Sequence, residues 1–133
     1  MLLEPGEWPA APDRGQLLRA LAAFEDVGDP EAAERAWEAA VEHWPDEPLA
    51  WLGLANMAYR RGDLEAASDG YGRVLALVPD HLPARLNFAM TADESGRPCE
   101  GLRFLGRPPA EGHPLMGTFS ELEKRLLDAC RDR

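Results

Sequence analysis

Between Trp51 and Pro79 the chain reads WLGLANMAYRRGDLEAASDGYGRVLALVP. Its apolar positions recur three and four residues apart, the spacing that places side chains on one face of a helix. The pattern breaks once, at Gly62-Asp63, and stops at Pro79. It predicts two helices. Gly62 ends the first in a backbone conformation open to glycine, and Asp63 is placed to cap the second. Pro48 suits the first turn of the leading helix and Pro79 stops the following one. In the second helix Ala67 is small enough for close helix approach, and Tyr71, one turn on, fills the space beside it.

The same punctuation recurs along the chain. Gly28, Gly62 and Gly96 stand 34 residues apart, as do Ala33, Ala67 and Gly101, and Trp37, Tyr71 and Leu105. Pro45 and Pro79 share the interval, and the third copy has His113 there with Pro114 just after. The register divides the chain into helix pairs at 14–47, 48–81 and 82–115. A single pair cannot bury its apolar face, but stacked pairs bury a continuous one, and about three suffice for stability.

A connector at 1–13 precedes the pairs. Residues 106–117, GRPPAEGHPLMG, read as a mobile loop within the third unit and past its end. From 116 to 133 a closing helix carries Phe119, Leu122, Leu126 and Cys130 on one face and charges on the other, as the end of a helical stack needs. Thr118 and Glu121 stand in capping-box spacing at its start.

The period and residue types resemble the tetratricopeptide repeat, whose pattern is W-x2-L-G-x2-Y…A-x3-F…P. The middle copy matches with Trp51, Leu54, Ala67, Tyr71 and Pro79, while Ala55 and Ala58 replace the usual glycine and aromatic. The first copy offers Leu17, Leu21, Phe24, Ala33, Trp37 and Pro45. The third keeps Phe88, Ala89, Gly96 and Leu105 but has Arg85 at the tryptophan position.

The resemblance implies an all-α, right-handed superhelix whose leading helices line a concave groove for a peptide or protein. Carried over by unit position, the groove residues are Leu18, Ala22, Glu25 and Asp26 in the first unit. The second contributes Leu49, Leu52, Asn56, Tyr59 and Arg60, and the third Leu86, Met90, Asp93 and Glu94. This describes an apolar floor with Asn56 and Tyr59 as hydrogen-bonding points and an acidic edge, suited to a segment with apolar side chains and some positive charge. The leucines have an alternative role, packing helix against helix. The lysine, asparagine and arginine set with which one subset of the family clamps a C-terminal carboxylate is replaced by Leu18, Ala22, Gly53, Pro83 and Asn87.

Charge narrows the partners. Of the net −10, the first 47 residues hold −9, with twelve acids against Arg14, Arg19 and Arg35. Phosphate backbones and anionic lipid surfaces are met by clustered lysine and arginine, so this distribution argues against nucleic acid and membrane surfaces. No window approaches the roughly 18 apolar residues of a membrane span, and MLLEPGEWPAAPD lacks the basic start and apolar run of a signal peptide. The expectation is a soluble chain of undecided compartment.

No catalytic constellation stands out. His43, His81 and His113 each fall near the end of a unit, about a repeat apart and too far for one metal. Two cysteines are too few for a disulfide scaffold and lack CxxC spacing. Cys99, after Pro98 at a helix start, sits where a thiol pKa can fall, and Cys130 reads as a core residue. Glu31, Glu34, Glu38 and Glu42 form a solvated stripe opposite Ala33, Trp37 and Val41. The expectation is an interaction module with no cofactor and no metal, with self-association, as in a homodimer, as the competing role.

A second resemblance touches LLEPGEWPA at the N-terminus. Followed by repeats, it is similar to the junction in bacterial proteins that fuse a papain-like cysteine peptidase domain to C-terminal tetratricopeptide repeats. It implies an accessory region of such a peptidase, whose catalytic residues would lie upstream.

Overall fold

The computed structural model describes residues 29–132. The connector 1–13, with the peptidase-like junction, and the predicted first helix with Leu18, Ala22, Glu25 and Asp26 lie outside the described residues. Among the described residues six helices follow one another: α1 Pro30–His43, α2 Pro48–Arg61, α3 Leu64–Leu77, α4 Leu82–Glu94, α5 Pro98–Leu105 and α6 Met116–Arg131. No strand occurs among the described residues.

Local chemistry explains most boundaries. Asp29 accepts the Glu31 N–H at 3.0 Å to start α1, and Asp63 accepts that of Ala66 at 3.1 Å to start α3. Each bond satisfies a backbone donor that the helix leaves unpaired. Prolines occupy the first turns of α1, α2, α4 and α5. Gly62 closes α2 with φ 87°, in the left-handed region that a Cβ makes costly.

Consecutive helices pack on one another, and α4 also meets α6. The core accordingly runs as three clusters in series. Trp37, Val41 and Trp44 of the α1 side meet Ala50 and Met57 of α2. Ala55, Ala58, Ala67, Tyr71, Phe88 and Ala92 join α2, α3 and α4. Leu86, Ala89, Leu105, Phe119, Leu122 and Leu126 join α4, α5 and α6. The residues at 34-residue intervals, Ala33, Ala67 and Gly101, then Trp37, Tyr71 and Leu105, are all buried. This is an all-α helical repeat.

Two expectations are corrected. Cys99 and Cys130 form a disulfide with Cα atoms 4.8 Å apart; Cys99 is exposed and Cys130 only half-buried. Neither is a reactive free thiol or a packed core residue, because the stack brings the first turn of α5 beside the last turn of α6. Thr118 is not the cap of α6, which begins at Met116. There His113 Nδ1 accepts the Leu115 N–H at 3.0 Å, so the preceding turn is organised by a histidine instead.

Arg85 has a structural role in place of tryptophan. Its Nη1 donates to the carbonyl oxygens of Leu105 and Arg107, both at 2.8 Å. The eight-residue α5 ends there, and the guanidinium takes up carbonyls that a longer helix would have bonded internally.

Candidate functional site

Helices α2, α3 and α4 border an open cavity of about 260 Å³ lined by Asn56, Tyr59, Arg60, Tyr71, Asn87 and Met90. The helical period of α2 places Asn56, Tyr59 and Arg60 within one turn of each other, three and four residues apart. Asn87 and Met90 come from the same face of α4, and Tyr71 reaches in from α3 beneath them.

Its polar groups are fixed by each other. The Tyr71 hydroxyl donates to Asn56 Oδ1 at 2.6 Å, and Asn87 Nδ2 donates to the same oxygen at 3.3 Å. With Oδ1 accepting twice, the amide of Asn56 is oriented and its NH2 is the end left to donate. Burial pushes the Tyr71 phenol well above the usual tyrosine range, with the neighbouring Tyr59 adding to the effect. Tyr71 therefore remains a neutral donor to Asn56.

Tyr59 is held from the opposite side, donating to Glu94 Oε1 at 2.8 Å. Partial burial raises its pKa first, and the bond to Glu94 raises it further. Asp93 pairs with Arg125 of α6 at 3.0 Å. The third unit's share of the acidic edge, Asp93 and Glu94, is thus engaged within the chain, one carboxylate by a guanidinium and the other by a phenol.

Of the groove positions inferred from the resemblance, Asn56, Tyr59, Arg60 and Met90 meet in this cavity. Leu49 is exposed at the start of α2, outside the cavity lining. Leu52 is partly buried against the cluster of Tyr71 and Phe88. Leu86 is buried, 4% exposed, because α6 covers it with Phe119, Leu122 and Leu126. The sequence reading names Asn87 only as a replaced clamp position and does not place Tyr71 in the cavity. Asn87 is the chain neighbour of Leu86, the position that the resemblance gives to the groove, and the sequence alone gives Tyr71 a role only in helix packing. Among the described residues no group of three or more His, Cys, Asp or Glu is placed to hold a metal ion.

Residues 17–81 match the family model of the tetratricopeptide repeat. That stretch carries tetratricopeptide repeats. It is 33% identical over 96 residues to human general transcription factor 3C polypeptide 3, an alignment that covers 70% of this chain and 11% of that protein. The chain thus spans about a ninth of the length of that relative. Two crystal structures of MamA share the fold. One gives a TM-score of 0.61 at 16% identity, covering 88% of this chain and 69% of the other. The second gives 0.64 at 17% identity, covering 92% and 82%. Tetratricopeptide repeats are protein–protein interaction modules, and this chain has their architecture.

Proposed function

We propose that the chain is a non-enzymatic interaction module that holds an extended peptide segment over Asn56, between α2 and α4. The observation that carries this reading is the double acceptor role of Asn56 Oδ1, which leaves a pre-oriented NH2 group to donate to a ligand acceptor. A backbone carbonyl of a peptide is such an acceptor, and Met90 beside it offers an adaptable apolar contact for a neighbouring side chain. Because Tyr71 and Asn87 hold the amide before any ligand arrives, little ordering cost falls on binding.

The engagement of Asp93 and Glu94 lowers the demand for a basic partner. An apolar segment is favoured, with positive charge a secondary attraction.

The test is a pull-down with wild-type chain and with Asn56→Ala, followed by titration of peptides from any recovered protein. A peptide whose affinity falls about tenfold or more in the variant supports the reading, a loss in keeping with one well-made hydrogen bond. Equal affinity for both proteins overturns it.

A further inference from the structure

We propose that Cys99–Cys130 is a thiol–disulfide exchange site that latches the last turn of α6, with a dithiol as its co-reactant. The bond joins residues 31 apart in sequence, and it ties the first turn of α5 to the last turn of the closing helix.

What else holds α6 decides what the bond does. Phe119, Leu122 and Leu126 are buried against α4 and α5, and Arg125 pairs with Asp93. Leu126 packs beside Gly101, where a Cβ added to the glycine would lie 3.3 Å from Leu126 Cδ2. Beyond Leu126 the anchoring stops. Leu127 is 49% exposed, Asp128 and Arg131 are exposed, and Ala129 and Cys130 are only half-buried. The covalent bond is therefore the one strong attachment of residues 127–131 among the described contacts, and helix ends without such attachments open readily.

The bond is also reachable. Cys99 is exposed, so a thiolate from the reductant can attack its Sγ. The S–S bond breaks, its electron pair leaves on Cys130 as thiolate, and a mixed disulfide forms at Cys99. The second thiol of the reductant then attacks its own sulfur in that mixed disulfide and releases Cys99 as thiolate. The net change is two protein thiols, after proton uptake, and one cyclic or linked disulfide of the reductant. A small-molecule disulfide such as oxidised glutathione drives the reverse reaction.

Reduction leaves α6 docked through Phe119 and Leu122 while the turn after Leu126 frays and uncovers the contact over Gly101. The end of the stack is sealed in the oxidised chain and loosened in the reduced one.

The full chain, treated with oxidised glutathione or with dithiothreitol, provides the test by alkylation mass and amide hydrogen exchange. The expected result is no iodoacetamide added before reduction and two equivalents after it. Exchange at residues 127–131 should rise at least tenfold on reduction, with residues 64–77 unchanged. A Cys99→Ser, Cys130→Ser double variant should show the faster exchange with or without reductant. Alkylation of the glutathione-treated chain overturns the proposal, as does full alkylation with unchanged exchange at 127–131. Exchange that rises throughout α3 also overturns it, since the bond would then hold the whole fold and not one turn.

Discussion

The six-membered ring of Trp37 presses against the backbone at Gly53. A Cβ built on that glycine would stand 2.5 Å from both Cδ2 and Cε2 of the indole, far inside contact distance. Trp37 is itself buried, 3% exposed, so the ring has little room to withdraw. The contact sets how closely α1 approaches α2, and the side chain a residue lacks is as informative as those its neighbours have.

Gly53→Ala should therefore destabilise the chain by about 1–3 kcal/mol, the usual cost of overfilling a packed core. Gly72, in the middle of α3, has nothing within 4 Å of a built Cβ. Gly72→Ala should leave stability unchanged or raise it by up to about 1 kcal/mol, through helix propensity alone. Thermal melts of the two variants beside the parent separate overpacking from propensity.

Tyr71→Phe removes the donor that fixes Asn56 and should cost about 1 kcal/mol. It should also change the response to alkali. The folded-state pKa of Tyr71 is raised, whereas the unfolded chain ionises near pH 10. Above that pH the unfolded state loses a proton that the folded state keeps, so stability falls as pH rises. In Tyr71→Phe the fall between pH 9 and 11 should be shallower, with Tyr59, also raised, responsible for part of what remains. Urea midpoints across that range give the comparison.

His81 provides the acid-side counterpart. Its Nδ1 accepts the Ala84 N–H at 3.2 Å at the start of α4, and partial burial lowers its pKa below the ordinary value. Below about pH 6.5 the unfolded chain takes up a proton that the folded imidazole resists. Stability conferred by this histidine is complete above that pH and is lost as pH falls. His81→Asn keeps a capping acceptor without a titrating group. The drop in urea midpoint between pH 7.5 and 5.5 should be smaller in the variant; an equal drop would assign the acid sensitivity elsewhere.

Arg85→Met preserves much of the volume and deletes both bonds to the Leu105 and Arg107 carbonyls. Hydrogen bonds from a charged donor contribute about 1.5–3 kcal/mol each, so losing the pair should destabilise the end of α5 by at least that much. Faster amide exchange in residues 101–107, with α2 and α3 unaffected, is the expected signature.

Much of the architecture was legible because it repeats. Ala33, Ala67 and Gly101 declare close helix crossings, and Trp37, Tyr71 and Leu105 the large residues beside them, since each pair must meet the same steric demand at each interval. Gly62 and Asp63 marked their turn through backbone and capping chemistry that one residue carries locally. The cavity was only half legible. Asn56 and Tyr59 follow from the unit positions that the repeat resemblance assigns to the groove, but the hold on Asn56 comes from Tyr71 and Asn87 on two other helices, and no spacing within α2 contains that information. Arg85 looked like a loss of the repeat pattern, although the shortness of α5 makes it a replacement partner for stranded carbonyls. The disulfide was missed for a related reason: Cys99 and Cys130 belong to separate helices, and only their docking shows that the two meet.

At Gly53 and at Gly70, where a Cβ would fall 2.6 Å from that of Ala55, helix spacing is dictated by main chain meeting its neighbour with almost no side chain between. The spacing of these helices is therefore set at positions outside the lining of the Asn56 cavity. Asn56, Tyr59 and Met90 lie apart from those two contacts, so a substitution among them leaves in place the main-chain approach that spaces α1, α2 and α3.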